Sequence, residues 1–423
     1  KMNIYIYNIL RYKHLKRLLL MVAMFNVQCS MFNVYAQINI GGNVYGGGNA
    51  GETKGNTKVT VRAGDIDAVF GGARMADVKG NAFVNIDCEN ASSYIVINKV
   101  YGGNDISGKI GADANVKALP IELKQANENS VTKDWDAFVR ISTKMTTNAQ
   151  NEQVPDETQK TYIGQLFAGG NGEYYYKDVD NKHNIYNSEK DYIDGKDPIA
   201  SNTTGFTLPD IDKTYLEILG GSIVYAYGGG NNATVTGSTV ICVDNPSKVV
   251  NHIIDANNPN AGTGGELLTT ERFRDKMDIN MGFSQPSSDE FQIGRFFGGN
   301  NKAEMTIRPI WNLKSGLIRN LYSGGNQGAM ALDKCLFLPI RSDGMKIDNV
   351  YGGCRMADVN PDKRSLSVEP FPDGIHLPGG YAACVLVEGG DINNVYGGND
   401  ISGKIYGGSL VGIHSSIKGD VYG

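Results

Sequence analysis

Residues 389–406 read GGDINNVYGGNDISGKIY, and thirteen of the fourteen residues from 392 to 405 recur at 97–110, an offset of 295. A second matched pair, RMADV at 74–78 and at 355–359, is offset by 281, and each copy follows an aromatic residue and two glycines. The 14-residue difference falls between the paired motifs, where residues 79–96 give way to the longer, proline-bearing 360–391. Matched cores with a spacer of variable length mark a repeat architecture with loop insertions.

Working outward, the recurring unit is an aliphatic residue, a short gap, an aromatic and two glycines, often with asparagine following. It can be followed through Tyr45, Phe70, Tyr101, Phe167, Tyr227, Phe297, Tyr322, Tyr351, Tyr396, Tyr406 and Tyr422. The shorter intervals, 25 to 31 residues, fit one supersecondary unit; intervals of 60 to 70 require insertions. The clearest unit, residues 55–72, reads GNTKVTVRAGDIDAVFGG, with Val59 and Val61 alternating with polar residues before a glycine turn and a second short strand. With 54 glycines, nearly twice the usual share of about 7%, a helix-rich fold is disfavoured.

These features predict an all-β fold, a parallel β-solenoid (β-helix) of irregular coils with loop insertions, in which like residues of successive coils align in ladders. One ladder would hold the aromatics, among them Tyr45, Phe70, Tyr101, Tyr351 and Tyr396. Another would hold Asn49, Asn104, Asn171, Asn300, Asn326 and Asn399, whose amides can satisfy one another and the corner backbone. A β-sandwich or propeller built from the same short strands is the competing architecture.

Residues 1–36 carry Arg11, Lys13, Lys16 and Arg17, then the apolar run LLLMVAMF at 18–25, and end in Val34-Tyr35-Ala36. This predicts a secretory signal peptide cleaved after Ala36, with a run too short to span a bilayer. A lipoprotein reading through Cys29 has a poor sequence context. Cleavage removes five cations and no acid, leaving 35 lysines and arginines against 45 aspartates and glutamates, a net −10. That balance argues against nucleic-acid binding.

Residues 37–423 read as a single repeat domain, interrupted by polar insertions at 112–162, 173–215, 244–290 and 360–378. The third contains a candidate helix at 265–277. Gly423 falls within a Val-Tyr-Gly motif, so the chain is expected to be part of a longer protein. Of the five cysteines left after the leader, Cys88, Cys242, Cys335, Cys354 and Cys384, none has zinc-site spacing. They read as small buried apolar residues, with one bridge left open.

The candidate chemistry is sparse. Arg74 with Asp77, and Arg355 with Asp358, can be read as catalytic or sugar-binding pairs, but duplication with the scaffold favours an ion pair or turn cap. Asp105 and Asp400 could ligate Ca²⁺, yet residues 46–52 lack the aspartate of the glycine-rich calcium repeat, so a turn role is expected. No histidine lies in a recognisable Ser or Cys setting. No cofactor is expected. The candidate ligand contacts are Tyr174, Tyr175, Tyr176, Tyr186 and Tyr192, whose rings can stack on sugars or anchor the second insertion.

At the VYGGGN motif ending at Asn49 and the VFGGARMADV motif ending at Val78, the chain resembles the large secreted Gly-Gly-Asn repeat proteins of Gram-negative gut-type bacteria. The resemblance covers most of residues 40–111 and 220–423. It implies an adhesin-like β-solenoid at the cell surface and carries no catalytic residues. The expectation is therefore a non-catalytic secreted or cell-surface structural or adhesion protein, binding glycans or extracellular proteins through its insertions. The alternative is a β-helical polysaccharide lyase or glycoside hydrolase.

Overall fold

The computed structural model describes residues 39–91, 95–113, 115–116, 135–156, 161–246, 292–366 and 380–423. The expected leader, the candidate helix at 265–277 and most of the third insertion lie outside the described residues.

The described chain is nearly all strand: twenty-four strands and one five-residue helix, Glu189–Ile193. Sixteen strands form one large sheet whose pairings are all parallel. One file of that sheet runs Asn39–Tyr45, Gly64–Phe70, Ile95–Tyr101, Thr161–Phe167, Ser222–Tyr227 and Ile293–Phe297. A second runs Thr57–Val61, Ala82–Ile86, Ala137–Ile141, Asp210–Ile218 and Thr234–Asp244. The 14-residue strand Pro309–Tyr322 joins them, its first half pairing with residues 239–244 and its second with 293–297. Beyond it the first file continues through Gly344–Tyr351, Asp391–Tyr396 and Val421–Tyr422. Isolated parallel bridges join Thr53 to Val78 to Ile110, and Met305 to Met330 to Val359 to Ile405.

Register follows residue type. Ile66, Ile97, Ile163, Ile223, Ile293 and Ile318 occupy one row, and Val69, Val100, Leu166, Ala226, Phe296 and Leu321 another. Both rows belong to one buried cluster shared with Val59, Val84, Val139, Leu216 and Ile241 of the second file. A one-residue slip would turn all of these side chains to the opposite face of the sheet, which is why a buried face fixes pairing so firmly.

The paired glycines have a steric cause. A Cβ on Gly71 would stand 2.4 Å from the Gly102 carbonyl oxygen, and one on Gly102 would stand 2.2 Å from that of Ala168. Neither residue takes a positive φ. Close approach of stacked corner backbones, not left-handed geometry, therefore excludes a side chain there.

Two insertion boundaries differ from the sequence reading. The strand Ala137–Ile141 lies inside the expected first insertion, and Asp210–Ile218 begins inside the second, yet both pair in the main sheet. The second insertion proper is a small appendage, the antiparallel strands Tyr175–Val179, Lys182–Tyr186 and Ala200–Asn202 with the helix Glu189–Ile193. A disulfide links Cys335, just before the strand Leu336–Ile340, to Cys384 on its parallel neighbour Tyr381–Val387, while Cys88, Cys242 and Cys354 are free and buried.

Candidate functional site

The site is built on the edge where the first file ends in its aromatics. Ten rings, Tyr45, Phe70, Tyr101, Phe167, Tyr227, Phe297, Tyr322, Tyr351, Tyr396 and Tyr422, stack face to face at 4.6 to 5.3 Å. Their interplanar angles are at most 12°. Tyr406 stands apart, with the Lys363 ammonium 5.4 Å over its ring.

The asparagines fall into two sets, one residue apart. Three residues after the aromatic, Asn104, Asn300 and Asn399 fasten adjacent corners. Asn104 Oδ1 accepts from Ala73 N at 2.7 Å, and Asn399 Oδ1 accepts from Cys354 N at 2.8 Å. Four residues after the aromatic lies a continuous polar row. Arg355 Nη1 donates to Asn326, Asn326 to Asn301, Asn301 to Asn231, Asn231 to Asn171, and Asn171 to Asp105, at 2.8 to 3.2 Å. Asn49 belongs to the same position at the N-terminal end, accepting from Arg74 at 3.0 Å. Asp77 and Asp358 accept from the backbone N–H of Lys109 and Lys404, at 2.9 and 2.7 Å, so each caps the neighbouring corner.

Asp105 is the junction between this row and the insertion. It is 1% exposed and accepts from the Tyr45 hydroxyl at 2.7 Å and the Tyr174 hydroxyl at 2.9 Å, besides Asn171. Burial, reinforced by the Asp105 charge, pushes both phenols far above the ordinary tyrosine range. Tyr176 donates to the Ile106 carbonyl. Tyr174 and Tyr176 thus tie the appendage to the repeat, while Tyr175, Tyr186 and Tyr192 pack on one another at 5.3 to 6.5 Å. Burial alone would raise the Glu173 carboxyl; the Lys302 ammonium and Asn231 amide outweigh it and hold it low.

Between Tyr174 and the sheet lies a groove of about 400 Å³, lined by Asp67, Asn98, Lys99, Gln165, Asp105 and Asn171 among others. Tyr101 also lines it, fully buried, with its hydroxyl beside the Asn231 amide. The neighbouring Asn231 amide is already committed to Asn171 and Glu173. Among the described residues no cluster of His, Cys, Asp or Glu is suited to holding a metal ion, and no helix is long and apolar enough to cross a membrane.

Sequence reasoning singled out Tyr174 but passed over Lys99, Gln165, Asn98 and Asp67. One signal was present: Lys99, against Asn394, is the single mismatch in the duplicated 14-residue segment. Comparison with known protein families, with characterised proteins and with solved structures finds no match for this chain.

Proposed function

We propose that the chain is a parallel β-solenoid from a secreted or cell-surface protein that acts without catalysis, as a structural or adhesive element. Its partners are glycans or extracellular proteins held at its insertions. The observation that carries the reading is the pairing of an in-register aromatic corner, repeated ten times, with an appendage that folds as its own small sheet at that corner. A scaffold that repeats while one loop elaborates is the usual division between support and recognition. The Cys335–Cys384 bridge supports an oxidising location.

Replacing residues 175–206 with a short Gly-Ser linker leaves Tyr174 and the strand Asp210–Ile218 in place. The strand-dominated circular dichroism should persist, and retention on immobilised extracellular matrix proteins or glycans should fall. Unchanged retention would remove the appendage from the recognition role.

A further inference from the structure

One row of the sheet's outer face runs Asn43, Ala68, Lys99, Gln165, Tyr225 and Arg295, and continues through Asn320, Asn349 and Asn394. At its C-terminal end the row satisfies itself: Asn394 donates to Asn349 at 2.9 Å, and Asn349 to Asn320 at 3.0 Å. The equivalent stretch near the N-terminus is built differently on the same scaffold. Ala68 removes a side chain's worth of volume, Lys99 takes the place that Asn394 holds in the duplicate copy, and Gln165 forms no such amide bond. The groove is the result.

We propose that this groove binds a neutral saccharide of one or two pyranose rings. Its volume lies at the lower end of the range for small-molecule sites, roughly 300 to 1,000 Å³. The lining offers a primary amide at Gln165, an ammonium at Lys99 and the Asp67–Asn98 pair, 3.2 Å apart, a mixture of donors and acceptors suited to adjacent hydroxyls. Apolar lining comes from Ala68, the stacked rings Phe70 and Tyr101, and the Tyr174 ring, a surface on which a sugar ring can lie. Asp67 and Asp105 against Lys99 give the lining a net formal charge of −1, which disfavours uronates and other polyanions. The assignment rests on the adhesive reading for its setting, but it uses the sheet face and Tyr174, not the appendage beyond.

The test is calorimetric titration of the whole chain with gluco-, manno- and N-acetylglucosamine oligosaccharides, with polygalacturonate as the acidic comparison. At least one neutral series should bind. Lys99→Asn writes in the residue the scaffold already accepts at Asn394, so the circular dichroism should not change while affinity drops about tenfold, the effect of one lost polar contact. Gln165→Ala should act similarly. No heat from any neutral series, preference for polygalacturonate, or affinity indifferent to both variants would overturn the assignment. If the chain adheres to matrix but binds no saccharide, the groove assignment alone falls. If it binds saccharide but proves not to be exported, the adhesive setting alone falls.

Discussion

Asn231 is the rung whose removal tests the polar row most directly. It is 1% exposed; its Nδ2 donates to Asn171 at 2.9 Å and to Glu173 at 2.6 Å, and its Oδ1 accepts from Asn301 at 2.8 Å. In Asn231→Ala the Glu173 carboxylate keeps Lys302, but Asn171 Oδ1 and Asn301 Nδ2 lose their partners. One buried and one half-buried group left unsatisfied, the first at about 1 to 3 kcal/mol and the second at less, put the loss near 3 kcal/mol. Asn231→Asp is the sharper variant, since it turns an acceptor toward the oxygens of Asn171 and Glu173 and should cost at least as much. Asn49→Ala removes one bond at an exposed end of the row and should stay within about 0.5 kcal/mol. Urea unfolding followed by far-ultraviolet circular dichroism measures all three. If Asn231→Ala unfolds at the parent's midpoint, or Asn49→Ala costs as much, the row does not stabilise the fold in the way described.

Gly102→Ala places a methyl 2.2 Å from the Ala168 carbonyl oxygen and 2.9 Å from Val139, and should cost about 3 kcal/mol or abolish soluble expression; Gly51→Ala, in open space, should do neither. Burial pushes the Cys88 thiol up to about 11 and the Cys354 thiol up to about 12, from 9.0. Both thiols stay protonated in the fold when the unfolded chain would release them, so stability is full below pH 9 and should decline as pH rises toward 12. Thiol titration with a disulfide reagent at pH 8 should accordingly find no fast reaction at Cys88 or Cys354 before unfolding. Cys335→Ala opens a loop closed across 49 residues and should lower stability by about 4 kcal/mol, read as a drop in Tm that a reductant reproduces in the parent chain.

The all-β character and the parallel alignment were legible because the same residue types recur at each corner, so that Ile66, Ile97 and Ile163 name their own row. The two asparagine positions were not separable by eye. Asn104 and Asn171 follow their aromatics by three and four residues, and that one-residue step decides whether an amide turns onto corner backbone or into the polar row. Tyr406 carries the aromatic-glycine signature yet stands outside the stack, since Tyr396 already occupies that level and Tyr422 the next. Cys335 and Cys384 are adjacent only through a strand pairing that no local pattern announces. The strand Ala137–Ile141 was hidden because it lies in a polar stretch and carries no corner glycines of its own. The groove was hidden for a similar reason: its lining comes from several strands and becomes a surface only when they align.

The row from Arg355 to Asp105 has a polarity. Every amide hands its proton the same way, toward the N-terminal end, so the four amide dipoles add as peptide dipoles add along a helix. The positive pole meets the Asp105 carboxylate and the negative pole meets the Arg355 guanidinium. Charge at each end thus fixes the orientation of all four amides, none of which can turn over alone without setting donor against donor on one side and acceptor against acceptor on the other. Arginine also stands just before aspartate at this corner position, Arg74 before Asp105 and Arg355 before Asp400, and the charged residues act as punctuation: Asp105 opens the directed run and Arg355 closes it.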